Sequence, residues 1–261
     1  MVAVPACPPS TRRIVASPSG SVRTSLILPA FNEERGVAIV LDRLAALLDP
    51  TYELIVVDDG STDRTADVAE AVGAILVRHG RNLGKGAALR SGFQAASGQH
   101  LLTMDADDTY PVAVIPEMTE ALERFDVVTG VRQYGREHIG AINRLGNRAF
   151  STAISIAARR RVRDPLTGLY GLRRSALKRM ALRSQGFGIE AEIVITAGRL
   201  GLSVLEIPIE YRSRVGHSKL NPWRDGVIIS RTIVSQVLAG SARPATTPIQ
   251  SPPSPTDLVS T

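Results

Sequence analysis

Short apolar runs and helical stripes alternate along most of this chain. Ser25-Leu-Ile-Leu28 is an apolar run ended by Pro29, and residues 37–48 repeat Val, Ile and Leu at helical spacing. Glu53-Leu-Ile-Val-Val57 has the make-up of a strand buried on both faces, and Asp58-Asp59-Gly60-Ser61 ends it. A helix is expected over 63–72, with Ser61 or Thr62 as its N-cap. The same reading predicts strands at 74–78, 100–104 and 126–129, and helices at 84–96 and 112–124. This βαβαβαβ rhythm predicts an α/β domain: a mostly parallel sheet flanked by helices on both faces. The aperiodic segments 1–23, rich in Pro, Ser and Arg, and 241–261, rich in Pro, Ser and Thr, read as disordered tails. One folded domain at 24–240 lies between them.

The polar residues fall where such a sheet would use them. Three strands end in acidic or small polar groups: Asn32-Glu33-Glu34, Asp58-Asp59, and Asp105 with Asp107. Ligands of open parallel sheets bind outside the carboxyl ends of the strands. Single acidic strand ends are commonly helix caps; three together predict one crevice whose mutual repulsion a cation or donor groups must relieve. Asp105-Ala-Asp107 brings two carboxylates within reach of one hard divalent cation. Mg²⁺ or Mn²⁺ held this way completes its shell with phosphate and water. Gly80-Arg-Asn-Leu-Gly-Lys-Gly86 is a Gly-rich turn into a helix. It is not a P-loop, because Ser or Thr does not follow Lys85, and no G-x-G-x-x-G follows the first strand. Lys85 and the helix N-terminus still place positive potential there.

Composition narrows the partners. The 261 residues carry 31 Lys+Arg against 25 Asp+Glu, a formal charge of +6, which suits an anionic partner. The single cysteine, Cys7, cannot form an internal disulfide and points to a reducing compartment. No stretch reaches the ~18 consecutive apolar residues of a spanning helix. Behind Arg12 and Arg13, Ile14-Val-Ala16 is too short for a signal core.

Taken in order, Pro29-Ala-Phe-Asn-Glu33, Val56-Val-Asp-Asp-Gly-Ser-Thr-Asp63, Arg81-Asn-Leu-Gly-Lys-Gly86 and Met104-Asp-Ala-Asp107 resemble an inverting glycosyltransferase of family 2, with the GT-A fold. Gly130-Val-Arg132, Asp164-Pro-Leu-Thr-Gly168 and Gly216-His-Ser-Lys219 resemble its polyprenyl-phosphate sugar synthase branch, which includes dolichyl-phosphate mannose and glucose synthases. The resemblance covers about 25–235. It implies that Pro29, Phe31 and Glu33 frame the nucleotide base and ribose, with Asp58 or Asp59 contacting base or sugar. Asp105 and Asp107 would hold Mg²⁺ or Mn²⁺ on the donor diphosphate. Arg132, Arg212, Arg214 and Lys219 would face the donor diphosphate or acceptor phosphate. Thr109 stands where the mannose synthases often carry Gln, and the Gly-Lys-Gly turn leans towards the glucosyl enzymes.

The chemistry fits the residue inventory. The resemblance implies transfer of mannose or glucose from a nucleotide-diphosphate sugar to polyprenyl phosphate. A phosphate monoester has a second pKa of about 6, so it is already a nucleophile near pH 7. No strong general base is needed, which suits a chain with four His. Asp164 is the candidate for a further carboxylate near the acceptor, with a turn before Pro165 as its plain alternative.

A hydrophobic acceptor directs attention to residues 139–158, where Ile142, Leu145, Ala149, Ile154, Ile156 and Ala157 recur at helical spacing and Arg159-Arg-Arg161 follows. A basic-ended amphipathic helix can lie on an anionic surface, and 227–238 is a second candidate; core packing is the alternative for both. The expected location is cytoplasmic, peripheral at the cytoplasmic face of a membrane, with room for a separate membrane anchor protein. Two rivals are weaker. Asp105-Ala-Asp-Asp-Thr109 matches a D-x-D-x-T phosphatase nucleophile motif, but no later acidic metal pair follows it. Nucleic-acid binding lacks aromatic platforms and a recognised motif.

Overall fold

The computed structural model describes residues 22–134, 141–184, 186–215 and 222–239. A seven-stranded sheet runs in the order β3-β2-β1-β4-β6-β5-β7. Its strands are β1 (Thr24–Ala30), β2 (Tyr52–Asp58), β3 (Ile75–Arg78), β4 (His100–Thr103), β5 (Val127–Tyr134), β6 (Tyr170–Arg173) and β7 (Val204–Glu210). Only β6 runs against its neighbours, lying antiparallel between β4 and β5. The helices are α1 (Glu34–Leu47), α2 (Thr65–Ala71), α3 (Lys85–Ala95), α4 (Ile115–Ala121), α5 (Ala141–Ala157), α6 (Arg174–Arg179), α7 (Ile189–Arg199) and α8 (Pro222–Ala239).

The apolar strands are apolar because both faces are covered. Leu26, Leu28, Leu54 and Val56 enter one core with Val37, Leu41 and Leu44 of α1. The intervening Ile27, Ile55 and Val57 point the other way, against Leu89 and Phe93 of α3 and Ile193 of α7. A third cluster joins α5, α7 and α8 through Ile154, Ile195, Ile229 and Ile233.

Pro29 does not end β1, contrary to the expectation. The Ile27 carbonyl oxygen accepts from Met104 N–H on the β4 side, and that of Ala30 accepts from Asp59 N–H on the β2 side. Residues alternate, so the Pro29 nitrogen faces β4, which has already ended at Thr103. No ladder bond is lost there. The helix expected at 63 begins at Thr65, and neither Ser61 nor Thr62 caps it. Arg64 stands at the N-cap without a side-chain hydrogen bond, and Asp63 just before it accepts from Thr65 N–H at 3.0 Å. Helix α4 is shorter than expected, preceded by a single 3-10 turn at Val112–Val114. The expected tails lie outside the described residues except for their inner edge, where Arg23 is already tied in. Its N–H donates to Thr51 O, and its carbonyl accepts from His100 N–H.

Strands β2, β1 and β4 are adjacent and parallel, so their carboxyl ends share one edge of the sheet. Chain order reverses between β1 and β4, the position where such sheets open a crevice.

Candidate active site

The loops after β1 and β2 are knitted together. Asn32, at φ 51°, donates its N–H to Ser61 Oγ at 2.8 Å, and its side chain accepts from Thr62 N–H at 2.8 Å. Glu33 N–H donates to Thr65 Oγ1 and Glu34 N–H to Asp63. Burial works against the Asp63 charge, but donors from Thr65 and Glu34 hold its pKa below the ordinary Asp value. The polar residues that sequence reading treats as helix caps thus brace one loop against the next. Pro29 and Phe31 are half-buried at the mouth of this region.

The two acids of Asp58-Asp59 have separate duties. Asp59 is fully engaged: it accepts from Leu83 N–H (2.9 Å) and Gly84 N–H (2.8 Å), and one oxygen lies 2.7 Å from His79 Nδ1. It pins the Gly-rich turn that starts α3. Gly60 permits this closeness: at φ +76°, its position would bring a Cβ within 2.4 Å of Arg81 carbonyl carbon. Asp58 is fully buried and accepts from Ser61 N–H through Oδ1. Its Oδ2 lies 3.3 Å from Arg78 Nε but has no hydrogen-bond partner among the described residues. Of the two, Asp58 keeps acceptor capacity for a ligand.

Behind β4, each of the two paired carboxylates is met by a basic side chain. Lys85, the first residue of α3, places Nζ 2.6 Å from Asp105 Oδ1 and 2.7 Å from Glu190 Oε1. Burial opposes that ammonium charge, but Asp105 and Glu190 outweigh it and hold the Lys85 pKa well above its ordinary value. Asp107 accepts from Thr109 N–H (3.1 Å) and Thr109 Oγ1–H (2.6 Å), and its other oxygen lies 3.1 Å from Arg214. The Asp107 pKa is pushed up, first by burial and then by neighbouring Asp105, with Arg214 and Thr109 opposing. Thr109 therefore serves Asp107.

Segment 211–215 lies directly on this loop. Arg212 N–H donates to Thr109 O and Val215 N–H to Asp107 O, while Arg214 also reaches Glu33 at 2.7 Å. Glu33, Asp107 and Arg214 are thus one contact group. The Arg212 side chain points away, 3.9 Å from Glu210 and part exposed. Lys219, with Gly216, His217 and Ser218, lies outside the described residues.

Arg132 and Asp164 are brought together, joined to each other through a buried two-pronged pair. Nε lies 2.7 Å from one Asp164 oxygen and Nη2 2.6 Å from the other. Burial opposes the Arg132 charge; Tyr110 and Asp164 hold its pKa above the ordinary value. Its guanidinium also sits 5.4 Å from the Tyr211 ring centre. The turn at Asp164-Pro-Leu-Thr-Gly168 then returns to the crevice. Gly168 N–H donates to Tyr110 OH at 2.6 Å, and a Cβ on Gly168 would fall 2.1 Å from Asp105 Oδ2.

Sequence reading missed Glu190, Tyr110, Tyr170 and Tyr211. The signal for Glu190 was a pair of acids in the apolar run Ile189-Glu-Ala-Glu-Ile193. At about 100° per residue they diverge. Glu192 is spent on Arg183 N–H, Ser184 N–H and Gln236; Glu190 enters the crevice.

Residues 25–183 match the family described as Glycosyl transferase family 2. The chain belongs to that family. It is 32% identical over 216 residues to the dolichyl-phosphate hexose transferase of Haloferax volcanii, covering 82% of this chain and 93% of that one. It is 31% identical to the dolichol-phosphate mannosyltransferase of Pyrococcus furiosus over 76% of this chain and 59% of that one. The fold is GT-A-like. It matches Mycobacterium tuberculosis glucosyl-3-phosphoglycerate synthase bound to Mn²⁺, UDP and glucosyl-3-phosphoglycerate, with a TM-score of 0.65 and 27% identity, covering 86% of this chain and 81% of that one. The same enzyme has also been solved with Mg²⁺ and UDP. This protein is therefore a glycosyltransferase.

Proposed function

We propose that this family 2 enzyme moves a hexose, mannose or glucose, from a nucleotide-diphosphate sugar to polyprenyl phosphate with inversion, helped by Mg²⁺ or Mn²⁺. The folded unit that does so is 24–240. The observation that carries this reading is the joining of Asp105 and Asp107 to Lys85 and Arg214 at the carboxyl edge of β4. The Haloferax and Pyrococcus relatives, by their names, act with dolichyl phosphate.

The residues present fit a divalent cation. Among the described residues no group of three His, Cys, Asp or Glu side chains is gathered to hold one. Two carboxylates with phosphate and water completing the shell suit Mg²⁺ and Mn²⁺. The raised pKa of Asp107, caused by burial and by Asp105, marks a repulsion that such a cation relieves. Asp105 and Asp107 would hold it, and it would draw charge from the leaving diphosphate.

The chain's own residues supply position and charge. Asp58 offers Oδ2, ion-paired with Arg78 but without a hydrogen bond among the described residues, to the base or ribose, beside Pro29, Phe31 and Glu33. Lys85 and Arg214 present positive charge where the diphosphate leaves, and such preorganised charge is worth most in a water-poor site. An acceptor phosphate oxygen forms a bond to the sugar's anomeric carbon as the bond to the diphosphate breaks. The nucleoside diphosphate departs with the electron pair. No base has to take a proton from an ionised phosphate. Arg132, fixed by Asp164, and the basic residues Arg212, Arg214 and Lys219 would serve the acceptor phosphate.

The proposed membrane contact uses α5 and α8. No described helix is long and apolar enough to cross a membrane. The predicted amphipathic segment divides: Ile154 and Ala157 are buried, whereas Ile156 is 74% exposed. On α8, Val227, Val234, Val237 and Leu238 are exposed, and a groove of about 550 Å³ runs between Phe150, Val227, Val234 and Leu238. Arg148, Arg159, Arg161 and Arg231 are exposed on the same helices or just beyond α5. Apolar side chains among arginines suit a peripheral position on an anionic cytoplasmic leaflet, alone or with a separate anchor protein.

The test is a panel of GDP-mannose, UDP-glucose and other nucleotide sugars with polyprenyl phosphate and Mg²⁺ or Mn²⁺, reading lipid-linked product and anomeric configuration. Phosphoglyceric acid belongs in the acceptor panel, because a solved structure of the M. tuberculosis enzyme carries its glucosyl product. Product on phosphoglyceric acid alone would replace the lipid acceptor. No product from any donor would refute the transfer reading.

A further inference from the structure

Lys85 is one cation shared between two acids. Its Nζ is 2.6 Å from Asp105 Oδ1 and 2.7 Å from Glu190 Oε1, and it lies 5.7 Å from the Phe187 ring centre. Asp105 is also one of the two carboxylates placed to hold the divalent cation. An ammonium and a divalent cation repel each other and compete for the same oxygens. A metal that claims Asp105 therefore weakens its hold on Lys85, and a buried lysine left without a charge partner is costly.

The neighbouring acid supplies the answer. Glu190 is 4% exposed, and its second oxygen, Oε2, is buried with no hydrogen-bond partner among the described residues. Buried carboxylate oxygens are ordinarily satisfied. An ammonium carries three donors, so Lys85 can release Asp105 and place a second N–H on Glu190 without leaving the site. Its backbone stays fixed meanwhile, because Asp59 grips the preceding Leu83 and Gly84 N–H groups.

Resting on the metal-assisted reading above, we propose that Glu190 is a positioning residue that takes over the Lys85 ammonium when a divalent cation claims Asp105. Lys85 then remains beside the donor diphosphate and no longer competes for the carboxylate. Glu190 itself does not touch the cation.

The experiment is Mn²⁺ binding to the full chain, read by electron paramagnetic resonance of free Mn²⁺, with saturating UDP and, separately, GDP. Glu190→Gln keeps shape and removes charge, leaving Lys85 to Asp105 alone; Mn²⁺ affinity is expected to fall at least tenfold. Lys85→Met removes the competitor, so Mn²⁺ should bind at least as tightly as in the parent. The double variant Lys85→Met, Glu190→Gln should match Lys85→Met. It removes both charges together, so it remains a folded reference, checked by melting temperature, should the single Glu190→Gln fail to fold. Unchanged affinity in Glu190→Gln overturns the inference. So does a double variant that binds tenfold more weakly than Lys85→Met, since Glu190 would then be acting on the cation or the fold directly. So does a tenfold loss in Lys85→Met. A parent protein that binds no Mn²⁺ with either nucleotide overturns the metal-assisted reading itself, whereas a binding parent with an indifferent Glu190→Gln overturns only the role of Glu190.

Discussion

Replacing Gly168 by Ala should disable the site while sparing the fold. A Cβ at 168 would meet Asp105 Oδ2 at 2.1 Å, Cγ at 2.5 Å and Oδ1 at 2.8 Å, with those three the nearest atoms. Ordinary contact begins near 3.4 Å, so the carboxylate must retreat by about 1 Å. The obstructing atoms are the end of one side chain, which can rotate, and Gly168 needs no left-handed backbone. Misplacing a reacting group by about 1 Å can cost ~10²-fold in rate. The fold would lose part of the Lys85–Asp105 contact, about 1 kcal/mol, or roughly 2–4 °C in melting temperature for a domain of this size. Gly98→Ala is the contrasting control. There the new Cβ would meet backbone atoms of Ser25 and Thr24 at 2.8–2.9 Å, so strand β1 itself must shift. That variant should lose about 1–3 kcal/mol of stability with near-normal turnover per folded molecule. Hexose transfer and thermal melting, measured on both, decide the matter. Full turnover in Gly168→Ala, or a melting loss equal to that of Gly98→Ala, would refute the placement of Asp105 in the reaction centre.

Asp107→Asn should abolish hexose transfer with little change in melting, because volume is kept and Arg214 retains Glu33 as a partner; activity in that variant that survives excess chelator would count against a metal there. Asp164→Asn leaves the Arg132 guanidinium buried without its carboxylate and should cost about 3–5 kcal/mol, read by chemical denaturation. A loss below ~1 kcal/mol would show that the pair is not structural. Arg160→Glu with Arg161→Glu, or Val234→Asp alone, should weaken sedimentation with anionic vesicles without slowing turnover on a detergent-solubilised acceptor. Parent protein that ignores such vesicles would move the anchoring elsewhere.

The sheet was legible because its signals are local. Residues 54–57 are apolar throughout and lie buried on both faces, as a central parallel strand should. Element type survived where boundaries did not, since boundaries depend on neighbours. Pro29 looks like a stop in isolation and is harmless only because β4 ends before reaching it. Ser61 and Thr62 look like caps in isolation and are drawn instead to Asn32, 29 and 30 residues away. Strand β6, the reversed one, had no place in the expected rhythm: Tyr170-Gly-Leu-Arg173 is four residues long and contains a glycine.

The acids of the site were visible for a different reason: each ends a strand, and a parallel sheet sends such ends to one edge. Their cations were not visible in the same way. Nothing local tells Arg214 that Glu33, 181 residues earlier, is its partner, nor marks Glu190 apart from Glu192. Yet the cations decide what the acids do. Asp105 and Asp107 two residues apart would be a repulsive pair in a buried loop. Lys85 and Arg214, each divided between one of these acids and a second carboxylate, keep the charges folded in place until a ligand arrives. A basic residue shared in this way is held, but by either partner alone it is held only partly. Under the proposed reaction, a divalent cation would take over the two acids, while Glu190 and Glu33 remain to hold Lys85 and Arg214.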